Sequence, residues 1–339
     1  MRTLRKNDSG HDVTFLQMLL TSAGFNNPEN GVFDAETVTA IKSFQKKNSL
    51  DDDAIVGKGT WRTLLEKGYT FFPKSTNLFL NDNEFVSELH YKKQIILHHT
   101  AGGPRPDFTI GWWEQDTQRV GTSFVIGRKS GDPDAFDGVV YRAFPEYLWA
   151  YHLGLSKKNS SISADLRSSL NKTSIGIEIC SYGPLTKKED GTFRTVVNNK
   201  VIPPDEVTDL GDKWREYQYF EKYTARQLEA TKNLILTLAY YFNVPVDDLA
   251  YDSKWFGINK DALNGTPGIW THVNYRKDKT DCFPQPELID MLNSLHTAFK
   301  DFKPEMNEFE RFSERNINDL KPEDVMNYSY DLQYEEEEN

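Results

Sequence analysis

The chain has 339 residues, 38% of them hydrophobic and 13% aromatic, which is sufficient for two folded domains with cores of their own. The formal net charge of -11 argues against nonspecific nucleic-acid binding by the whole chain. Two cysteines give no disulfide framework and indicate a chain made in a reducing compartment. The first residues lead into no apolar run and no stretch is apolar enough to span a bilayer, so we expect neither a secretory signal nor membrane insertion.

Residues 1–66 have the pattern of a small helical domain. Apolar residues at helical spacing occupy Val13–Leu20, and a turn at Asn30-Gly31 separates this stripe from a second one. Thr37 is expected to open the second helix and Thr60 to cap a short third helix. The pattern therefore predicts an all-α unit of three helices.

The rest of the chain divides into a linker, a larger domain and a tail. Residues 67–91 have mixed composition and indicate a linker that packs partly on its neighbours. Between residues 92 and 302, apolar strands alternate with helical stretches, which predicts an α/β domain. Residues 303–339 carry 12 acidic and 4 basic side chains. This tail is either a solvated, disordered end or a segment that docks on a partner.

A buried strand at residues 94–101 ends in two adjacent histidines. Because side chains alternate across a strand, His98 shares a face with Ile96 and Thr100, while His99 lies on the other face. One imidazole can point into a cleft while the other is packed. Two structural histidines at a strand end remain the alternative for these residues alone.

A later segment strengthens the case for a metal. His272 is followed nine residues on by Asp281, with Cys282 beside it. Two imidazoles and one anionic ligand leave the fourth position of a tetrahedral zinc open to water, which is typical of a catalytic zinc site. Asp281 and Cys282 are both candidates for the third ligand.

One carboxylate interrupts the apolar strand at residues 174–180. Burying an unpaired charge is expensive, so Glu178 needs a specific environment. It is either held by an arginine as a structural ion pair or faces the cleft. In the cleft, desolvation would raise its pKa toward the range useful to a general base.

Residues 1–66 resemble the three-helix peptidoglycan-binding domain over the whole module. The positions that carry the resemblance are mostly apolar, glycine and threonine residues: Leu4, Gly10, Val13, Leu16, Gln17, Leu20, Gly24, Gly31, Val32, Phe33, Thr37, Ala40, Ile41, Phe44, Gln45, Leu50, Val56, Gly57, Thr60 and Trp61. Asp34 departs from the pattern, since a small residue commonly follows this phenylalanine. The resemblance implies that the module binds the bacterial cell wall.

The larger domain resembles the zinc amidases of the peptidoglycan-recognition fold, known as amidase type 2. Residues 97–101 are similar to the family's first metal motif, residues 171–178 to the strand with its catalytic Glu, and residues 271–281 to its last motif. The implied fold is a mixed sheet flanked by helices. The site residues implied are the zinc ligands His98, His272 and Asp281 and the catalytic residues Glu178 and Lys279. The implied substrate-side residues are His99, Thr100, Trp112, His152 and Asn171.

Three departures from the family pattern affect the site. Thr122 stands where some members have a tyrosine, so the general base falls to Glu178. The third ligand is ambiguous, because the family places its lysine two residues before the ligand, as Lys279 precedes Asp281, whereas thiolate softness favours Cys282. Residues 182–223 exceed the family core, with an expected hairpin at Asn198-Asn199. The insertion also holds an aromatic cluster expected to be mostly local core, with a minority lining a substrate groove: Trp214, Tyr217, Tyr219, Phe220 and Tyr223.

The resemblance implies zinc-dependent hydrolysis of the amide between N-acetylmuramic acid and L-alanine in peptidoglycan. Without an export signal, the chain suits a phage lysin made in the host cytoplasm, either released through a holin pore or carried in a virion. The acidic tail would then be a candidate contact to a virion or phage-tail partner. A non-catalytic wall-binding or structural virion protein is the alternative, but the full set of ligands with Glu178 and Lys279 favours the enzyme.

Overall fold

The computed structural model describes residues 1–68, 75–115, 118–129, 135–158 and 160–302. The expected acidic tail at 303–339 and part of the expected linker, residues 69–74, lie outside these ranges. In the described ranges, every helix is too short or too polar to cross a membrane.

The N-terminal module is the expected unit of three helices: α1 (His11–Ser22), α2 (Ala35–Lys47) and α3 (Lys58–Gly68). Helix α2 begins earlier than the expected start at Thr37, because the Asp34 carboxylate accepts a hydrogen bond of 2.9 Å from the Thr37 backbone N–H and caps the helix. Thr37 itself is buried, and its hydroxyl accepts a hydrogen bond from Gln17. The unusual acidic residue at position 34 thus has a local structural role.

The second domain is α/β, as predicted. Its helices are α4 (Pro106–Trp113), α5 (Ala164–Lys172), α6 (Ala225–Phe242), α7 (Lys260–Leu263) and α8 (Pro286–Lys300). Its strands are β1 (Ser75–Asn77), β2 (Gln94–His99), β3 (Phe124–Ile126), β4 (Val140–Arg142), β5 (Ser174–Ile179), β6 (Pro184–Lys187), β7 (Phe193–Thr195), β8 (Val201–Ile202), β9 (Val207–Trp214), β10 (Tyr217–Glu221) and β11 (Gly268–Thr271). They form two sheets.

The main sheet is mixed, with the strand order β1-β4-β3-β5-β2-β11. Strand β2 lies between β5 and β11 and is parallel to both. Ile95 and Leu97 of β2 belong to the core that includes α6, whereas Ile96 on the other face packs with Leu170 of α5 and Trp270. Helices therefore cover both faces, which explains why β2 is buried along its whole length.

The segment expected to be a linker takes part in the second domain. Strand β1 pairs in parallel with β4, and Leu78, Leu80 and Phe85 are buried in a cluster with residues of β3 and α4. The described part of this segment is thus an edge of the folded domain.

The helical module packs against the second domain through α1 and α6. The rings of Phe15 and Phe242 lie 5.2 Å apart, and Phe15 is 1% exposed. Beside them, the Tyr91 hydroxyl donates to the carbonyl of Phe242, and the Met1 ammonium donates to the carbonyl of Leu89 at 2.6 Å. The two domains therefore share one apolar core instead of being joined by a tether alone.

Phe15→Ala should lower the free energy of unfolding by about 3–5 kcal/mol, because it removes a buried ring from the interdomain core. Urea denaturation of the full chain measures this loss. Phe25→Ala is the matched control, since the half-buried Phe25 packs on Phe44 inside the module. A loss for Phe15→Ala no larger than that of the control would show that the interdomain contact contributes little.

The insertion forms a separate antiparallel sheet with the order β8-β7-β6-β10-β9. The expected hairpin is the turn between β7 and β8, where Asn199 has a positive φ of 58°. The aromatic residues expected to form a cluster are mostly packed; Phe220, for example, stacks on Phe283 with ring centroids 4.4 Å apart. None of them is among the described residues that line the main cleft.

Candidate active site

The site lies where three parallel strands end. His98 is near the end of β2, Glu178 is its direct neighbour in β5, and His272 follows the last residue of β11. The carboxyl ends of parallel strands meet at one edge of the sheet, which brings these three side chains together. A loop at residues 272–285, here called the metal loop, adds Lys279 and Asp281 at the same edge.

His98, His272 and Asp281 form a compact buried group. The Nδ1 atoms of the two histidines are 3.1 Å apart. Asp281 Oδ2 lies 2.8 Å from His272 Nδ1 and 3.2 Å from His98 Nδ1. The three atoms therefore converge on one small volume.

Hydrogen bonds on the far sides of the rings determine which nitrogens carry protons. The Ser174 hydroxyl donates to the carbonyl of Leu170 at 2.6 Å, so its oxygen accepts from His152 Nε2 at 2.8 Å. Neutral His152 then accepts at Nδ1 from His98 Nε2, at 2.9 Å. His98 Nδ1 is left with a free lone pair.

In His272, a single hydrogen bond to the backbone determines the same tautomer. Its Nε2 lies 3.0 Å from the carbonyl of Leu153, which can only accept a hydrogen bond. With Nε2 protonated, neutral His272 also presents a lone pair at Nδ1. Two imidazole lone pairs and a carboxylate oxygen thus face one another with no proton between them, which is the donor set and second shell of a zinc site.

Burial favours the neutral forms of His98 and His152. It lowers the pKa of His98 to about 4, assisted by His272, and lowers the pKa of His152 well below its usual range. The residues present therefore fit a zinc ion.

Cys282 lies away from this group. It is fully buried, is absent from the described cleft lining, and interacts with Tyr223. Burial, the largest influence, raises the pKa of its thiol well above the usual range. The metal-competent group in the described residues consists of His98, His272 and Asp281, so the geometry favours Asp281 as third ligand.

Glu178 and Lys279 face the same cleft as the three ligands. Glu178 is half-buried, and its Oε2 is shielded from solvent without a hydrogen-bond partner among the described residues. Burial and then Asp281 raise the pKa of Glu178 well above the usual carboxyl value, while Lys279 opposes them. No arginine pairs with Glu178 among the described ion pairs, so the arrangement is that of a cleft carboxylate.

The residues expected on the substrate side do not all reach the cleft. Trp112, Thr100 and His152 line it. His99 also lines it, while its Nδ1 bonds the Tyr223 hydroxyl at 2.8 Å. The expectation for Asn171 is corrected, because this residue is not among the described residues that line the cleft.

Asn171 instead supports the segment that carries His152. Its Oδ1 accepts from the backbone N–H groups of His152 and Leu153 at 3.0 and 3.1 Å. Its side chain is therefore occupied by the backbone and is unavailable to a ligand. Thr122 is buried and donates to the carbonyl of Phe124, so it supplies no group to the cleft.

Some cleft residues were not expected from the sequence. Arg105 and Arg276 line the cleft and are ion-paired with Asp107 and Asp278. Ser174 orients His152 from below the cleft. Each arginine pairs with an acid two residues further on, but only the tertiary fold places these pairs at the cleft and brings Ser174 to His152.

Ser174→Ala should weaken zinc binding by about 10- to 100-fold, the range for an outer-shell change, because Ser174 fixes the tautomer of His152, the outer-shell partner of His98. The change frees His152 to take the other tautomer, which removes the acceptor for His98 Nε2. Competition with a chromogenic chelator measures the affinity. Ser169→Ala, a neighbour on α5 that does not touch His152, is the control; equal affinities in the two variants would contradict the tautomer assignment.

Comparison with known proteins agrees with this geometry. Residues 9–64 match the family described as putative peptidoglycan binding domain, and residues 90–286 match the family described as N-acetylmuramoyl-L-alanine amidase. N-acetylmuramoyl-L-alanine amidase CwlL of Bacillus licheniformis is 40% identical over 101 residues, which is 29% of this chain and 28% of that protein. The similarity thus spans little more than a quarter of that relative.

Two solved structures are similar to parts of the chain. The Burkholderia AP3 phage endolysin is 38% identical over 19% of this chain and 25% of its own, with a TM-score of 0.19. The Staphylococcus aureus hydrolase AmiA is 13% identical over 78% of this chain and 94% of its own, with a TM-score of 0.38. Because the amidase family match extends over residues 90–286, more than half of its length, the chain belongs to the N-acetylmuramoyl-L-alanine amidase family.

Proposed function

We propose that the protein is a zinc-dependent amidase that cuts the bond between the lactyl group of N-acetylmuramic acid and L-alanine in bacterial peptidoglycan. The family match supports the reaction class. The observation that carries the proposal is the convergence of two histidine lone pairs and the Asp281 carboxylate beside Glu178.

In this proposal His98, His272 and Asp281 hold the zinc, and Cys282 stays outside. When bound, the ion would supply a water of lowered pKa and polarise the scissile carbonyl. His152 keeps the His98 lone pair directed at the ion, and the carbonyl of Leu153 does the same for His272.

Glu178 serves as general base and then as general acid. Its raised pKa makes it a better proton acceptor than an exposed carboxylate, and its unpartnered Oε2 has no competing hydrogen bond within the described residues. It takes a proton from the attacking water and passes it to the nitrogen of L-alanine as the amide bond breaks.

Lys279 stabilises the charge that develops on the carbonyl oxygen. Lys279 lines the cleft together with Asp281 and Glu178. A cation at this position favours the tetrahedral, negatively charged state over the neutral amide. Among the other cleft residues, His99, Thr100 and Trp112 are proposed to contact the glycan or the stem peptide.

We also propose that the protein works as a cell-wall lysin, with the helical module increasing the local concentration of the catalytic domain at the wall. A phage role, either free or virion-associated, is part of this proposal. The acidic tail is proposed as the contact to a virion partner in the second case.

Analysis of digested sacculi tests the reaction. Mass spectrometry should find intact glycan strands and free stem peptides whose new amino terminus is L-alanine. New reducing sugar ends would indicate a glycosidase, and peptides split within the stem or cross-link would indicate an endopeptidase. Either result would overturn the amidase proposal.

A further inference from the structure

The metal loop makes few hydrogen bonds of its own. Residues 272–274 form a short 3-10 turn, and the rest of the loop up to residue 285 has no helix or strand. Three of its backbone hydrogen bonds are local, from Tyr275 and Arg276 to His272 and from Gln285 to Phe283. The one that joins distant parts of the loop runs from the Val273 N–H to the carbonyl of Asp281 at 3.0 Å. A loop that carries Lys279 and Asp281 therefore depends on other elements for its shape.

The inserted sheet supplies that support at the tip of its β9–β10 hairpin. The guanidinium of Arg215 donates through Nη1 to the carbonyls of Arg276, Lys277 and Lys279 at 2.7, 2.7 and 2.5 Å. Its Nη2 donates to the carbonyl of Val273 at 2.9 Å. One side chain thus holds four carbonyls of the metal loop.

Two further contacts from β10 and the residues after it hold the end of the loop. Phe220 stacks on Phe283 at an interplanar angle of 15°. Tyr223 and Gln285 exchange two hydrogen bonds, of 2.7 and 3.1 Å. The loop is therefore clamped on both sides of Asp281 by one inserted element.

The hairpin tip has an unusual backbone for its sequence. Arg215 and Glu216 both have positive φ, 47° and 74°, as a type I′ turn requires. Asn-Gly adopts this turn most easily, and other residues are strained in it. A strained pair at a position that reaches the metal loop suggests a functional reason for the arginine.

We propose that Arg215 is a positioning residue for the metal loop, and that the inserted sheet serves to set Lys279 and Asp281 in register with His98 and Glu178. The proposal rests on the function proposed above, because it assigns Arg215 an effect on the zinc ligand and on the oxyanion-stabilising lysine. Lysine cannot replace it, since an ammonium lacks the planar fork that spans these carbonyls.

The test compares two variants of the full chain with the wild type. Arg215→Ala removes the guanidinium. Arg215→Asn combined with Glu216→Gly also removes it but gives the turn its preferred sequence, so the hairpin should fold at least as well as in the wild type. Arg194→Ala is the control, because Arg194 lies in the same sheet and its guanidinium donates to the nearby carbonyl of Asn199, away from the metal loop.

The two variants should distinguish an effect of Arg215 on the geometry of the metal loop from an effect on the stability of the whole protein. In both, zinc affinity measured by chelator competition should fall by about 10- to 100-fold, as for loss of an outer-shell contact. In zinc-free protein, the backbone amides of residues 273–281 should exchange hydrogen faster in the variants than in the wild type. The decrease in kcat should be larger than the change in KM. The thermal midpoint of the Asn-Gly variant should equal or exceed that of the wild type, and millimolar guanidinium should restore activity to Arg215→Ala.

Wild-type zinc affinity and loop exchange in the Asn-Gly variant would overturn the proposal. Loss of stability in both variants without rescue by guanidinium would also overturn it, since Arg215 would then have a general structural role. A wild-type protein that neither binds zinc nor cleaves the amide would instead refute the proposed function, while the exchange of the loop amides would still decide the role of Arg215.

Discussion

Glu178→Gln should reduce turnover of soluble muropeptide by about 10²- to 10⁴-fold, the range expected for the loss of a general base. Glutamine keeps the size of the side chain and its capacity to accept a hydrogen bond, but it cannot take a proton. Zinc content and muropeptide affinity should therefore persist, and the loss should appear in kcat. Steady-state kinetics with a parallel zinc assay measures both.

The pH dependence gives this variant a second readout. Burial raises the pKa of Glu178 above the ordinary carboxyl value, so wild-type turnover should fall as the pH decreases through that raised value and Glu178 takes up a proton. The glutamine variant should lack this acid limb. Near-full turnover with an unchanged acid limb would remove Glu178 from the mechanism and leave the base to another group such as His152.

Glu114→Gln is a suitable control for Glu178→Gln. Burial also raises the pKa of Glu114, but this carboxylate accepts from the Asn81 backbone N–H and lies outside the described cleft lining. It should leave both the turnover and the acid limb near those of the wild type. A similar loss in both variants would indicate a general effect of removing a half-buried charge.

Asp281→Ala should release zinc, whereas Cys282→Ser should retain it. The alanine removes the only anion among the three converging ligands, so zinc affinity should fall by more than the roughly 100-fold upper limit for an outer-shell change. Cys282 is packed beside Tyr223, and serine leaves the metal-competent group intact. Metal analysis after dialysis measures the occupancy of each variant.

The reverse outcome would reassign the ligand. If Cys282→Ser alone emptied the site, the thiolate would be the third ligand and Asp281 an outer-shell partner. The assignment of Lys279 as a catalytic residue would then lose its spacing argument, because Lys279 would no longer stand two residues before the ligand. If both variants lost zinc, the two side chains would have to share the site.

Part of the candidate site could be predicted from short-range patterns in the sequence. Alternation along β2 correctly assigned His98 to the face of Ile96, away from the core of α6. The isolated charge of Glu178 in an apolar strand predicted either an arginine ion pair or a cleft carboxylate. No arginine partner is found among the described ion pairs, and Glu178 lines the cleft. The α/β class followed from the alternation of apolar strands and helices, whereas the mixed sheet was implied by the family resemblance.

Residues that act through distant partners could not be predicted. Arg215 contacts carbonyls that lie far away in sequence; that of Arg276, for example, is 61 positions further on. The family resemblance implied that Asn171 is a substrate-side residue. In the structure, backbone N–H groups occupy its side-chain carbonyl oxygen. The choice between Asp281 and Cys282 is of the same kind, since in a loop without strand periodicity only the tertiary packing decides which of two neighbours faces the metal.

Titration of zinc into chelator-stripped protein, with amide cleavage measured at each point, tests the central claim most directly. We expect that activity is absent without metal, rises with added zinc and saturates at one zinc per chain, because His98, His272 and Asp281 form one metal-competent group in the described part of the chain. Full amide cleavage by protein with far less than one zinc per chain would contradict this claim.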